Sequence, residues 1–509
     1  MNITHITYEQ LNKVNDVCMV FLDVSKAFDR VWHKGLIYKL KCIGINGNLL
    51  NWFESYLTDR KQRVVINGQS SNFRHVKSGV PQGSILGPLL FLIYVNDIVD
   101  NIQSDIFLFA DDTTLMRPVK RATVNEDFDI VNADLSCLND WAQQWIVNFN
   151  AQKTVHMIFT NKQDYYDYPH PILNNTEIRR VDQHAHLGLT FSRNMSWSEH
   201  IAIITAKAHR RIGILKQLSY TTPRSCLETI YKSFVRPVLE YACVVFDNCT
   251  IAQSNMIEHT QREAALACTR AYRRTNHNIL LEELAWEPLA LRRRYFKLVM
   301  FYKIKSGLCP EYLANRCPET TVQRTRYNLR HALNITRFST RLSSYHNSFF
   351  PSVVREWNKL DNKFKSSTTL SIFKTRLKKF MFSARIKFYS SDFGHGSVNH
   401  TRMRMGLSGL NDHRFKYNLI EDPNCLVCQV RENCVHFFFH CPLYTDERQT
   451  LYSDLRIILE EMFIIPQNTI QCRNLAEILL KGSTKLSKEQ NTKVFLCVQL
   501  YISSTNRFK

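Results

Sequence analysis

Nowhere in the 509 residues does an apolar run reach the ~18 residues of a membrane-spanning helix, so no span and no membrane partner are expected. The opening "MNITHITYEQLNKVND" lacks the apolar stretch of a signal peptide. Acidic side chains are scarce, 45 Asp and Glu against 66 Lys and Arg, for a formal net charge of +21. That deficit points to a polyanionic partner, nucleic acid ahead of an acidic membrane surface. A fixed-period repeat and a long low-complexity tract are also missing. The 15 cysteines lack the spacing of a disulfide framework, which suggests an intracellular, reduced protein. What is present is a 44% hydrophobic chain, long enough to bury a sizeable core in about two to four domains.

Within this chain "IFLFADDTTLM" (106–116) sets two aspartates side by side between β-favouring runs. A surface turn would explain Asp111 and Asp112, since Asp tolerates turn geometry. A pair of divalent cations is the sharper alternative, which this stretch alone does not favour. Upstream, "VCMVFL" (17–22) reads as a buried strand ending on Asp23, and "VSKAFDRVWHKGLIYKL" carries Phe28, Val31, Leu36 and Leu40 at helical spacing. Between them, "HVKSGVPQGSILGPLLFLIYVNDI" (75–98) reads as a Gly/Pro-punctuated loop entering an apolar helix packed beneath a sheet. Gly79, Gly83 and Gly87 let backbone approach a ligand closely, and Pro81 stiffens the loop. Should the hairpin pair with the strand before Asp23, three carboxylates converge. Mutual repulsion raises their pKa values, and two Mg²⁺ ions would remove that cost with oxygen ligands suited to them. Two-metal sites serve in-line phosphoryl displacement.

In that order, "FLDVSKAFDRVWH", "SGVPQGSILGPLLFLIYVNDI" and "FLFADDTTL" resemble motifs A, B and C of reverse transcriptases. The style is that of non-LTR (LINE-type) retrotransposons, close to the Jockey and CR1 groups. "WIVNFNAQKTVHMIF" (145–159) resembles motif D, and "HLGLTF" (186–191) resembles the motif E turn that grips the primer. The resemblance implies an α+β fold: a right-hand polymerase palm, an antiparallel sheet with packed helices. A helical thumb and a C-terminal helical region with a small zinc knuckle would follow. It further implies Asp23, Asp111 and Asp112 as Mg²⁺ ligands and Phe28 as the aromatic that excludes a ribose 2′-hydroxyl. Gln82 and Gly83 would lie beside nucleotide and template, and Lys153 would donate to the leaving pyrophosphate. A core aromatic at Phe28 and a solvated lysine at Lys153 are the structural alternatives. Only 22 residues precede Asp23, where relatives carry fingers motifs, so a member truncated at its N-terminus is expected.

Further on, "SEHIAIITAKAHRRIGILKQL" puts Ile201, Ile204, Ala208, Ile212 and Leu215 on one helical stripe, where a thumb should begin. Residues 222–385 read as mostly helical. Basic clusters recur at Arg273–Arg274, Arg292–Arg294 and "FKTRLKKF" (373–380), interleaved with Tyr272, Tyr295, Phe296 and Phe373. Charge with rings suits single-stranded or structured RNA, although rings at helical spacing more often belong to a core. Near the end, "CLVCQVRENCVHFFFHC" offers Cys425, Cys428, His436 and Cys441 as tetrahedral zinc ligands, with Cys434 and His440 as alternatives. It resembles the CCHC knuckle of many non-LTR elements.

The expected organisation is palm 1–195, thumb-like helices 196–320, a basic region 321–420, a zinc knuckle 421–445 and a helical tail 446–509. The function this implies is RNA-directed DNA polymerase, with RNA template, DNA primer or target and dNTPs as partners. The family works in the nucleus with a cytoplasmic ribonucleoprotein stage. A catalytically silent nucleic-acid-binding relic is the second reading.

Overall fold

The apolar run ending at Leu22 forms β1 (Asp16–Leu22), buried along its whole length, as a strand covered on both faces must be. With β2 (Asp105–Phe109), β3 (Asp112–Val119), β4 (Val155–Phe159) and β5 (Arg179–Arg180) it builds a five-stranded sheet in the order β5-β4-β1-β3-β2. The pairings are antiparallel except at the edge, where β5 runs parallel to β4. The computed structural model describes residues 1–508 apart from 165, 322–332 and 383–394. Parts of the basic region read at 321–420 therefore lie outside the described residues. The chain divides into two units, Met1–Glu199 with Arg337–Ser352, and His200–Thr336 with Val353–Lys509.

Alternation along β1 sorts the first unit into two faces. Cys18, Val20 and Leu22 join one core with Leu36 and Leu40 of α2 (His33–Cys42) and with Leu90, Phe91 and Tyr94 of α4 (Leu86–Val95). The same core takes Phe128, Val131, Leu135 and Leu138 from α5 (Val124–Gln144). Between α2 and α4 lies α3 (Gly47–Leu57), and the chain opens with α1 (Asn2–Asn12). The short helix Ser343–Asn347 packs on α1, and Arg341 N–H donates to Asn12 Oδ1 at 2.7 Å.

Two helical expectations change here. Val24 to Leu40 is not one helix: a 3₁₀ turn at Ala27–Asp29 precedes α2, and Lys26 sits at φ +53°. Val31, Leu36 and Leu40 are still fully buried. The helix fails because the backbone of 28–31 serves another chain segment: Phe28 C=O accepts from Val80 N–H and Val31 C=O from Gly79 N–H, both at 2.8 Å. Helix α4, read as packed beneath the sheet, buries only one side; Ile85 at its entry is 95% exposed, and Leu89 and Leu92 are exposed too.

In the second unit the predicted stripe of α6 (Ser198–Leu218) is buried at Ile201, Ile204, Ala208, Ile212 and Leu215. Helices α7 (Arg224–Ile230), α8 (Ile251–Thr269), α9 (His277–Leu284) and α10 (Leu289–Lys305) follow. The basic cluster on α10 is taken up in ion pairs. Arg292 is paired with Glu240, Arg293 with Asp247 and Arg294 with Glu356, while Lys297 Nζ lies 3.0 Å from Glu356. Two of the rings interleaved with the basic clusters are structural as well: Tyr295 on α10 and Phe373 on the helix Leu370–Met381 are core residues. No described helix is long and apolar enough to cross a membrane.

Buried histidines give this fold a pH dependence. Burial pushes His156 and His186 in the first unit, and His200 and His413 in the second, down to about 4. His400 is displaced in the same direction. The unfolded chain therefore binds more protons between about pH 6.5 and 4, and stability present above 6.5 is lost as the pH falls. Thermal unfolding followed from pH 7.5 to 5 should show both units weakening, each neutral histidine contributing a slope of about 1.4 kcal/mol per pH unit. A flat profile would contradict it.

Candidate active site and metal cluster

The carboxylates meet at one end of the sheet. The register pairs Leu22 with Thr113, so Asp23 leaves β1 beside Asp112, the first residue of β3. The β2–β3 connection is two residues, Ala110 and Asp111, because Phe109 pairs with Asp112. Ala110 holds the tight turn at φ +53°, a conformation an L-residue adopts at a cost of about 1 kcal/mol. Burial, then the charges of Asp111 and Asp23, push the Asp112 carboxyl above its ordinary range. None of the three has a cationic partner at ion-pair distance among the described residues, despite the chain's excess of base.

Of the other predicted residues, Lys153 lies in the turn that bonds to Asp23, while Phe28 and Gln82 are held at the Asp29 turn. Lys153 is exposed in the turn before β4, where Asn150 N–H donates to Asp23 C=O at 2.8 Å and Thr154 Oγ1 accepts from Asp23 N–H at 3.3 Å. Phe28 is half-buried and stacked on Phe91 at 4.6 Å, so its core role and an exposed edge coexist. The loop of Gln82 and Gly83 is fastened across Asp29: Gln82 Nε2 donates to Asp29 Oδ1 at 2.8 Å and Ser78 Oγ to Asp29 C=O at 2.9 Å. At Gly79, φ is +89° and an added Cβ would lie 2.7 Å from the Asp29 carbonyl oxygen. Gly83 is open, with nothing near an added Cβ.

Sequence reasoning missed two histidines. The hairpin β6 (Gln183–His186) and β7 (Leu189–Ser192) turns at Leu187 and Gly188, both at positive φ. Its His184 stacks on Phe21 at 4.2 Å and its charge bears on Asp112. Burial holds His184 low as well. The alternation in "QHAHLGLTF" was the available signal, a strand with both histidines on one side.

In the second unit Cys425, Cys428, His436 and Cys441 bring one ligand atom each within 4.8 Å of the others. Cys434 and His440, the alternatives left open by spacing, are not in that group. Cys441 Sγ lies 3.8 Å from Cys428 Sγ and 4.0 Å from Cys425 Sγ. Tetrahedral zinc with Zn–S bonds of about 2.3 Å requires sulfurs about 3.8 Å apart. His436 Nε2 is buried with no hydrogen-bond partner, as a nitrogen kept for a metal would be. Burial raises the Cys441 thiol to about 12, so a cation is needed to hold it as thiolate.

Residues 3–191 match the family model described as reverse transcriptase (RNA-dependent DNA polymerase). The RNA-directed DNA polymerase from mobile element jockey of Drosophila melanogaster is 30% identical over 283 residues, 51% of this chain and 30% of the relative. Its counterpart in Drosophila funebris is 29% identical, over 51% of this chain and 29% of that protein. The chain thus spans about a third of the length of these relatives. The 115 kDa protein of the type-1 retrotransposable element R1DM of Drosophila melanogaster is 26% identical over 84% of this chain and 40% of its own. Apo telomerase from Candida tropicalis aligns with a TM-score of 0.32 at 13% identity, over 53% of this chain and 45% of that one, too loosely to carry weight. Residues 3–191 are thus similar to reverse transcriptase domains, and about half of the chain resembles the RNA-directed DNA polymerases of jockey mobile elements.

Proposed function

We propose that this chain acts as an RNA-directed DNA polymerase, extending a DNA primer on an RNA template with dNTPs. The observation that carries the reading is the trio Asp23, Asp111 and Asp112, gathered at one end of the sheet with no ion-pair partner among the described residues. The primer 3′-oxygen would bond to the α-phosphorus while the bond to the β-phosphate's bridging oxygen breaks and pyrophosphate leaves. Asp23, Asp111 and Asp112 would hold two Mg²⁺ ions, which supply an acidified primer hydroxyl and charge neutralisation at the phosphates. Phe28 would close the space beside C2′ of the sugar, and Gln82 and Gly83 would seat base and template. Lys153 would donate to the pyrophosphate as charge develops there.

In the same reading residues 1–195 form the palm and 196–320 a thumb-like helical region, with basic residues over 321–420. Residues 421–445 form a zinc knuckle on Cys425, Cys428, His436 and Cys441, with a structural ion and a role in RNA or DNA contact, and 446–509 a helical tail. A nuclear site of action with a cytoplasmic ribonucleoprotein stage goes with this family reading.

Sugar selection tests the assignment. Phe28→Ala should raise the relative kcat/KM for UTP over dTTP on a poly(rA) template by at least about tenfold, the scale on which pockets separate substrates by size. An unchanged ratio would remove Phe28 from the nucleotide site.

A further inference from the structure

Of the basic clusters in the second unit, the one on α10 is consumed by internal ion pairs, but the pair Arg273–Arg274 is not. Neither guanidinium has a carboxylate partner among the described residues. Both line a cavity of about 610 Å³, a size typical of ligand pockets, together with Tyr272, Arg402 and Arg414. No Asp or Glu lines it. Arg507, also at the wall, is neutralised by Glu432 at 2.7 Å, while Arg414 stays exposed and unpaired.

The rings separate in the same way. Tyr295 and Phe373 are core residues, whereas Tyr272 is 46% exposed at the cavity mouth. Its inner face is fixed by the Arg402 guanidinium, 4.4 Å from the ring centroid. Arg402 is itself held by Arg270 C=O at 3.0 Å, and its Nε is buried with no partner. A tyrosine pre-positioned by a cation beneath it, flanked by free guanidiniums and without carboxylates, is a stacking platform with phosphate ligands beside it. Tyr417 offers a second exposed ring in the same wall.

We propose that this cavity seats one or two unpaired nucleotides of a single-stranded nucleic acid. Tyr272 stacks on a base, and Arg273, Arg274 and Arg414 contact phosphates. The site belongs to the second unit and the aspartates to the first, and its binding does not depend on polymerase activity.

The test uses the full chain with zinc present and a fluorescent dodecamer of oligo(U), oligo(dT) or a duplex of the same length. Arg273→Ala/Arg274→Ala should weaken single-strand binding about tenfold at 0.1 M salt and lower the salt slope by about 1.4, as expected from two lost phosphate contacts. Tyr272→Ala should weaken it by a similar factor and Tyr272→Phe should not, because only the ring is used. Photo-crosslinks from 4-thiouridine or 4-thiothymidine should fall on Tyr272 or Tyr417, and should persist in Asp111→Ala/Asp112→Ala. Loss with oligo(U) alone or with oligo(dT) alone identifies the strand taken. Wild-type affinity in both variants, with unfolding temperatures unchanged, would overturn the proposal. Equal losses on duplex with no effect of Tyr272→Ala would overturn it too, reducing the site to diffuse charge.

Discussion

Cys441→Ser should cost the second unit at least about 3 kcal/mol and abolish the zinc binding proposed for the quartet, because the sulfur closes it and its loss leaves buried groups unpaired. Cys441 is 1% exposed, and the segment around it is tied to the tail helices rather than to solvent. Arg448 Nε donates to Phe438 C=O at 2.9 Å, and Tyr501 Oη to Phe437 C=O at 2.8 Å. These bonds hold Phe437 and Phe438 in a core with Leu451, Leu455, Val498 and Ile502, so the metal loop and the last helices should fail together. For a unit of this size such a loss lowers the unfolding temperature by roughly 5 °C. Metal analysis should find one zinc per chain in the wild type. It should find one as well in Cys434→Ala and His440→Ala, whose residues stand outside the quartet. Retention of zinc by Cys441→Ser would require a different ligand set.

Gly79→Ala should be the most damaging single-methyl change in the first unit. The residue sits at φ +89°, which costs an alanine about 1 kcal/mol, and its Cβ would also stand 2.8 Å from the carbonyl carbon of Asp29. Neither side has room to yield. Gly79 N–H donates to Val31 C=O at 2.8 Å, and Gly79 C=O accepts from His33 Nε2 at 2.8 Å and from Arg60 Nη1 at 3.2 Å. Overpacking adds about 1–3 kcal/mol, and a shift of the loop by about 1 Å would misplace Gln82 relative to Asp23, an error that costs about a hundredfold in rate. The expected result is a fall in unfolding temperature of roughly 5–15 °C with at least about a hundredfold loss of extension. Gly83→Ala has a similar φ of +79° but open space around it, and should lose only about 1 kcal/mol of stability. Equal effects at the two glycines would show that the Asp29 contact is unimportant.

The strands were legible because their pattern is local. Val17–Leu22 announces a buried strand by unbroken hydrophobicity, and "IFLFADDTTLM" announces a hairpin by two β-favouring runs about a turn. The fastening of residues 78–82 onto 28–31 was not legible, since it depends on hydrogen bonds between backbones about fifty residues apart that no side-chain period records. The same bonds turned an apparent helix from Val24 into a 3₁₀ turn followed by α2. Charge was legible only as a sum. Arg292–Arg294 and Arg273–Arg274 look alike in sequence, and only the fold shows that Glu240, Asp247 and Glu356 occupy the first group. In the cysteine cluster, spacing limited the ligands to six candidates, and three-dimensional proximity was needed to set aside Cys434 and His440.

The central claim is that three carboxylates at the end of β1 and β3 are built for phosphoryl transfer. Primer extension on poly(rA)–oligo(dT) with Mg²⁺ and dTTP tests it most directly, comparing the wild-type chain with Asp111→Ala/Asp112→Ala. The wild type should extend the primer, and the variant should lose at least about a thousandfold, more than 4 kcal/mol of transition-state stabilisation. The variant should bind the template–primer as well as the wild type does. Extension that survives in the double variant, or its absence from a wild-type chain that binds template, primer and Mg²⁺, would contradict it.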